Sequence, residues 1–126
     1  DNDGDADLAV SENGGPLAFL RAEGAPRRWL GVSLAGAAPN TQGVGAAAAL
    51  TAGGRRQVTW AAAGDSYQSS SDPRLLFRWA EGEAAEELTV VWPGGSTRRL
   101  VDPPAGVYLR LFETVGESAA RGSGLE

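Results

Sequence analysis

Glycine-bearing turn signals punctuate this chain at short intervals, and the stretches between them are too short for anything but strands. Glu12-Asn13-Gly14-Gly15-Pro16 separates residues 8–11 from 17–21, and Thr51-Ala52-Gly53-Gly54-Arg55 separates 44–50 from 56–62. Pro93-Gly94-Gly95 separates 87–92 from 96–101. The flanks read as strands, and turns of this kind favour antiparallel neighbours. Between residues 29 and 34, Trp29, Gly31 and Ser33 alternate with Leu30, Val32 and Leu34; Val107, Leu109 and Leu111 alternate with Tyr108, Arg110 and Phe112. That period of two belongs to strands with one buried face. With 75–79 as a further apolar run, the pattern predicts an all-β fold, an antiparallel β-sandwich or barrel-like domain.

Two segments pull the other way. Ala46-Ala47-Ala48-Ala49-Leu50 has high helix propensity, but it is too short to nucleate alone and its exit suits a hairpin, so a strand is expected. The acidic patch Glu81, Glu83, Glu86 and Glu87 is interrupted by Gly82 and reads as a solvated loop.

The first ten residues, Asp1-Asn2-Asp3-Gly4-Asp5-Ala6-Asp7-Leu8-Ala9-Val10, crowd four carboxylates ahead of an apolar strand. Calcium takes about six to eight hard oxygen ligands and tolerates irregular loops, which makes it the cation this spacing suggests. In that register Asp1 and Asp3 are side-chain ligands, Asp5 offers its carbonyl, and Asp7 closes the site directly or through water. A full loop carries one more Asp two residues ahead of Asp1. The alternative is an acidic, solvated segment.

Composition removes several chemistries. The 126 residues include no Cys and no His, so disulfides, structural zinc sites and His-dependent nucleophile pairs are excluded within this chain. Residues 1–24 carry six acids against Arg21, and elsewhere ten acids balance ten arginines, so the net charge of −5 resides in the first segment. Nucleic acid, which needs a positive surface, is not expected as a partner. No apolar run reaches the roughly 20 residues of a membrane helix. Every basic residue is Arg, a composition that points to a G+C-rich genome.

Binding residues on β scaffolds concentrate in long polar loops. Gly64-Asp65-Ser66-Tyr67-Gln68-Ser69-Ser70-Ser71-Asp72-Pro73-Arg74 is such a loop. Tyr67 is a candidate platform for a sugar or aromatic ligand, with Asp72 and Arg74 as directional partners. The alternative is a loop held by its own Asx turn, Ser hydroxyls and Asp–Arg pair. Trp60, Trp79 and Trp92 are expected in the core. Asp65, Asp72, Glu86 and Glu87 include enough carboxylates for acid–base hydrolysis, but nothing in the spacing pairs them across a cleft. Gly43-Val44-Gly45-Ala46 imitates a dinucleotide loop without the βαβ context that motif needs, and reads as close backbone packing.

Taken in order, several of these pieces resemble the ASPIC/UnbV domain: Trp29-Leu30-Gly31-Val32, Asn40 with Gly43-Val44-Gly45-Ala46, and Thr51-Ala52-Gly53-Gly54-Arg55-Arg56-Gln57. They continue through Gly64-Asp65-Ser66-Tyr67-Gln68-Ser69, Ser71-Asp72-Pro73-Arg74 and Val90-Val91-Trp92-Pro93-Gly94-Gly95, spanning about residues 29–112. Residues 1–10 with Asn13-Gly14-Gly15 resemble the end of an FG-GAP or VCBS-type repeat, the calcium-loop unit of β-propellers. The resemblance implies residues 1–24 as the last hairpin of a propeller repeat, 25–113 as the β domain and 114–126 as a flexible tail ending in appended residues. That family includes cartilage acidic proteins of animals and proteins encoded in bacterial enediyne biosynthesis clusters. It implies a non-catalytic module of a larger protein, holding a protein or a carbohydrate, extracellular or in the cell envelope. The alternative it implies is a cytoplasmic accessory role in enediyne biosynthesis, binding a polyene intermediate. The chain departs from the family pattern at Leu75-Leu76, where a polar residue or His is usual, and at Arg78-Trp79-Ala80, where the exit is usually Gly-rich. A site lined by that strand therefore has its own chemistry here.

Overall fold

The computed structural model describes residues 3–24, 27–64 and 67–114, and among them there are nine strands and no helix. Two sheets stack as an open sandwich. The first has the order β6-β3-β9, with β6 Leu75–Ala80, β3 Arg27–Ala35 and β9 Val107–Phe112. The second has the order β5-β4-β7-β8, formed by β5 Arg55–Trp60, β4 Ala47–Ala52, β7 Ala85–Val91 and β8 Thr97–Val101. A separate two-stranded hairpin, β1 Leu8–Ser11 and β2 Leu17–Leu20, precedes them. The sheets do not close into a barrel. No helix among the described residues is long and apolar enough to cross a membrane.

The core lies between the two inner faces. Leu30, Val32, Leu75, Phe77, Trp79 and Leu111 meet Ala48, Leu50, Ala52, Leu88, Val90 and Trp92. Small alanines on β4, Ala48 and Ala52, share this core with the large rings of Phe77, Trp79 and Trp92. Each buried Leu, Val or Phe contributes about 1.5–3 kcal/mol. No polar or charged residue among those described is buried. The alanine run forms a strand because β4 sits between β5 and β7, and ladder bonds on both edges override local helix preference.

Three expectations need correction. The β4–β5 turn is tighter than the sequence suggested: only Gly53 and Gly54 lie outside the strands, at φ +54° and +69°. Both positive angles match a type I′ hairpin, which the glycines adopt without steric cost. Residues 44–46 consequently fall in a loop, where the Asn40 side chain clasps Val44 N–H at 3.0 Å and donates to Val44 C=O at 2.8 Å. Secondly, Glu86 and Glu87 are not loop residues. They belong to β7, where the pairing slips between Thr51↔Glu87 and Ala52↔Ala85 and leaves Glu86 as the extra residue of a bulge. Thirdly, one pairing in the otherwise antiparallel sandwich is parallel: after β8 the chain leaves the second sheet, and β9 runs parallel to β3 in the first. A period-two pattern marks a buried face but not the direction of the neighbour, so this crossover was not readable locally.

Gly31 lies directly opposite Tyr108 in that parallel ladder. A Cβ on Gly31 would fall inside the Tyr108 ring, so the glycine lets the ring lie flat across β3. Tyr108 in turn meets Trp29, their centroids 4.9 Å apart at an interplanar angle of 54°. The outer face of the first sheet is therefore aromatic, and Gly4 of the acidic segment packs against Trp29.

Candidate functional site

Where the rims of the two sheets meet, β5 and β6 run side by side without sharing a ladder. The Gln57 side chain holds them together: its Nε2 donates to Arg78 C=O at 2.8 Å, and its Oε1 accepts from Arg78 N–H at 3.4 Å. Successive even steps along β5 place Arg55, Gln57 and Thr59 on one face, so this face lines the seam.

At one end the seam opens into a cleft of about 350 Å³ walled by Gln42, Thr59, Trp60, Ser71, Asp72 and Arg74. Clefts of this size accommodate small organic ligands. At the other end a smaller cleft of about 210 Å³ is lined by Arg27, Arg55, Gln57, Arg78, Trp79 and Ala80. The Gln57–Arg78 clasp thus stands between a polar, aromatic end and an arginine end.

Trp60 corrects an expectation. It is 62% exposed, whereas Trp79 and Trp92 are 3% and 1% exposed and fill the core as expected. Trp60 shares its strand face with Arg56 and Val58, opposite the face of Arg55, Gln57 and Thr59, and Arg56, Val58 and Trp60 are all exposed. Gln42, Thr59, Gln57, Arg27, Arg55 and Arg78 were also missed, since the seam that assembles them joins distant parts of the chain.

The three predicted binding residues separate. Asp72 and Arg74 lie together on the cleft wall, while Tyr67 is 88% exposed and lines neither cleft. Arg74 donates its Nε to both Asp72 oxygens, at 2.9 and 2.7 Å, its Nη2 to Oδ2, and its backbone N–H to Oδ1 at 2.9 Å. These bonds from Arg74 hold the Asp72 carboxyl below the ordinary range, and the carboxylate in turn raises the Arg74 guanidinium. Asp72 is therefore an acceptor that keeps its charge, unsuited to donating a proton. Arg74 also lies over the Tyr108 ring, 4.1 Å from its centroid, a cation–π contact that fixes the cleft wall to the outer face of the first sheet. Segment 71–74 thus forms a ridge, with a second cleft of about 440 Å³ on its far side bounded by Asp5, Asp7, Leu8 and Tyr108.

The predicted calcium ligands are held apart. Asp1 lies outside the described residues. Asp3 accepts from Asp5 N–H at 2.9 Å and faces Arg21 at 3.8 Å; Asp5 is ion-paired with Arg78. Asp7 accepts from Ala22 N–H at 2.9 Å, a bond that lowers its carboxyl below the usual value. Among the described residues no three His, Cys, Asp or Glu side chains gather into a set that could hold a metal ion. In this arrangement one guanidinium is paired with Asp5 and another lies beside Asp3.

The fold and the seam define an all-β, two-sheet sandwich domain with an open cleft at one rim. The chain belongs to the ASPIC and UnbV family, whose model matches residues 36–118. That match takes in β4 to β9 and the polar loop, and β3 completes the first sheet ahead of it. Comparison with curated proteins and with solved structures returns no match.

Proposed function

We propose that this domain is a non-catalytic carbohydrate-binding module and that the seam cleft beside β5 is its ligand site. The observation that carries the reading is Trp60, an indole left mostly in water at the lip of a cleft that mixes hydrogen-bonding groups with small apolar ones such as Ala62, Ala63 and Pro73. An exposed indole offers a broad apolar face together with an N–H, the combination that suits a surface half apolar and half polar. A pyranose presents such a surface: its C–H face covers the ring, and its hydroxyls reach Gln42, Thr59, Ser71 and the fixed Asp72 carboxylate. The polyene reading calls for a deep apolar pocket, and the cleft beside Trp60 has Gln42, Thr59, Ser71, Asp72 and Arg74 in its wall.

In the parent protein the module extends a propeller, with residues 1–24 as part of the neighbouring repeat. Support comes from the hairpin itself, which leaves Leu8, Val10, Leu17, Phe19 and Leu20 exposed over both faces. A lone two-stranded ribbon is marginal in water, and apolar side chains left open in this way suit a neighbour. On this reading the protein works outside the cell or in its envelope.

Affinity electrophoresis of the domain through gels containing neutral or acidic polysaccharides tests the reading. Retardation by at least one polysaccharide, abolished in Trp60→Ala with the fold intact by circular dichroism, is the expected result. Mobility unchanged in every gel, or retardation that Trp60→Ala leaves intact, overturns it.

A further inference from the structure

We infer that the ligand is an acidic polysaccharide, read along the seam with its charged groups at the arginine end. This inference rests on the seam being the carbohydrate site. Four arginines, Arg27, Arg28, Arg55 and Arg78, converge on the rim where β3, β5 and β6 begin or end. The carboxylates near them are Glu83, paired with Arg55 at 3.1 Å, Asp5, paired with Arg78, Asp3, which lines a neighbouring cleft with Arg27 and Arg78, and Glu86, which accepts from Gly54 N–H. Arg28 reaches only the Glu83 carbonyl, at 3.1 Å. Arg27 lines the small cleft with no ion pair or hydrogen bond among the described residues. The Nε of Arg78 is buried without an acceptor. The guanidinium of Arg27 and the Nε of Arg78 are thus the donors that these carboxylates leave over, in a chain whose net charge is −5.

Planar guanidinium groups recognise carboxylate and sulfate oxygens through paired N–H donors. Asp5, held on Arg78, is a carboxylate already resting at this rim. From Thr59 to Arg55 the strand advances about 13 Å, and from Trp60 about 17 Å. A ligand touching both ends must therefore be an oligomer, with one unit against Trp60 and an anionic unit farther along. A small anion would satisfy the arginines but leave Trp60 unexplained; a neutral glycan would do the reverse.

The test uses polygalacturonate, its methyl ester, dextran sulfate and dextran in affinity gels, with polyglutamate as a non-sugar polyanion. Polygalacturonate or dextran sulfate should retard the domain at least tenfold more strongly than its uncharged counterpart, and the two acidic polymers distinguish carboxylate from sulfate. Arg27→Gln, which removes an unpaired cation from the rim, should weaken the acidic ligand several-fold, flatten its salt dependence and leave binding of the neutral polymer unchanged. Asp5→Asn, which frees Arg78, should tighten the acidic ligand. Equal retardation by charged and neutral polymers, with Arg27→Gln silent, overturns the inference and leaves the carbohydrate site standing. Arg27-dependent retardation that survives Trp60→Ala, or equal retardation by polyglutamate, reduces the rim to a general anion site and overturns both. No retardation by any polymer also overturns both.

Discussion

Trp60 and Trp92 stand in similar strand-like sequence, and the structure gives them opposite duties, so the pair supports a sharp quantitative contrast. A tryptophan side chain presents about 150–250 Å². At 62% exposure, on the order of 100–150 Å² of Trp60 remains open. A sugar ring covering half of that removes about 60 Å² from water, worth about 1.5 kcal/mol at ~25 cal/mol per Å². Trp60→Ala should therefore weaken polysaccharide binding about tenfold or more. Its effect on stability should stay within about 1 kcal/mol, the span of strand preference at an edge position. Trp92, 1% exposed between the sheets, should behave differently. Trp92→Ala leaves a large cavity at a cost of about 3–5 kcal/mol. For a domain of this size that corresponds to a Tm loss of at least about 12 °C, against at most about 8 °C for Trp60→Ala. Differential scanning fluorimetry beside affinity electrophoresis reads both quantities. Should Trp60→Ala melt as low as Trp92→Ala, or bind as well as the parent, the assignment of Trp60 to a ligand face is wrong.

Gly31→Val should destabilise the domain by about 1–3 kcal/mol by driving a side chain into the Tyr108 ring, measured by urea unfolding; a change below 0.5 kcal/mol (about the noise of surface substitutions) would refute the close packing. Gln57→Ala should cost about 1–3 kcal/mol and speed exchange of the Arg78 amide, since that N–H and its carbonyl lose their partners across the seam. Glu113 accepts from the Ala37 amide at 2.8 Å and the Ser96 hydroxyl at 2.7 Å, which together hold its carboxyl below the ordinary 4.5. Because the folded value is depressed, its stabilisation is complete above the ordinary value and lost as pH falls through the lower folded one. Glu113→Gln should therefore lower Tm at pH 7 and converge with the parent in stronger acid. Calcium at millimolar concentration should leave the backbone amide shifts of residues 3–10 unchanged, since Asp3, Asp5 and Asp7 are engaged elsewhere; saturable shifts in an NMR titration would show that the arginines yield to the metal.

Much of the architecture was legible because period two and glycine turns are local signals. Strands β1, β2, β3, β6, β8 and β9 fall within about two residues of their expected ends. The errors concentrate where tertiary pairing decides. The Gly53-Gly54 turn pulled β4 and β5 toward each other by a few residues, and a bulge at Glu86 drew an acidic stretch into β7. Parallel pairing of β9 with β3 requires a crossover whose direction leaves no mark on the alternation of β9 itself. The loop residues Asp72 and Arg74 were correctly placed on a cleft, but their mutual bonds show how an exposed polar pair can be at once wall and self-contained turn.

The seam was illegible for a more basic reason. Gln57 and Arg78 are 21 positions apart, Asp5 and Arg78 are 73 apart, and the bonds joining them are made by side chains rather than by a ladder. No periodicity announces such a meeting. Yet the Arg78 side chain faces the small cleft while pairing with Asp5, and its backbone receives Gln57. A glycine at that position would keep the backbone clasp and lose both charged contacts. Such a substitution would therefore alter the electrostatics of the rim while sparing the fold, so an Arg78→Gly variant separates the charge of the rim from the clasp that holds the seam.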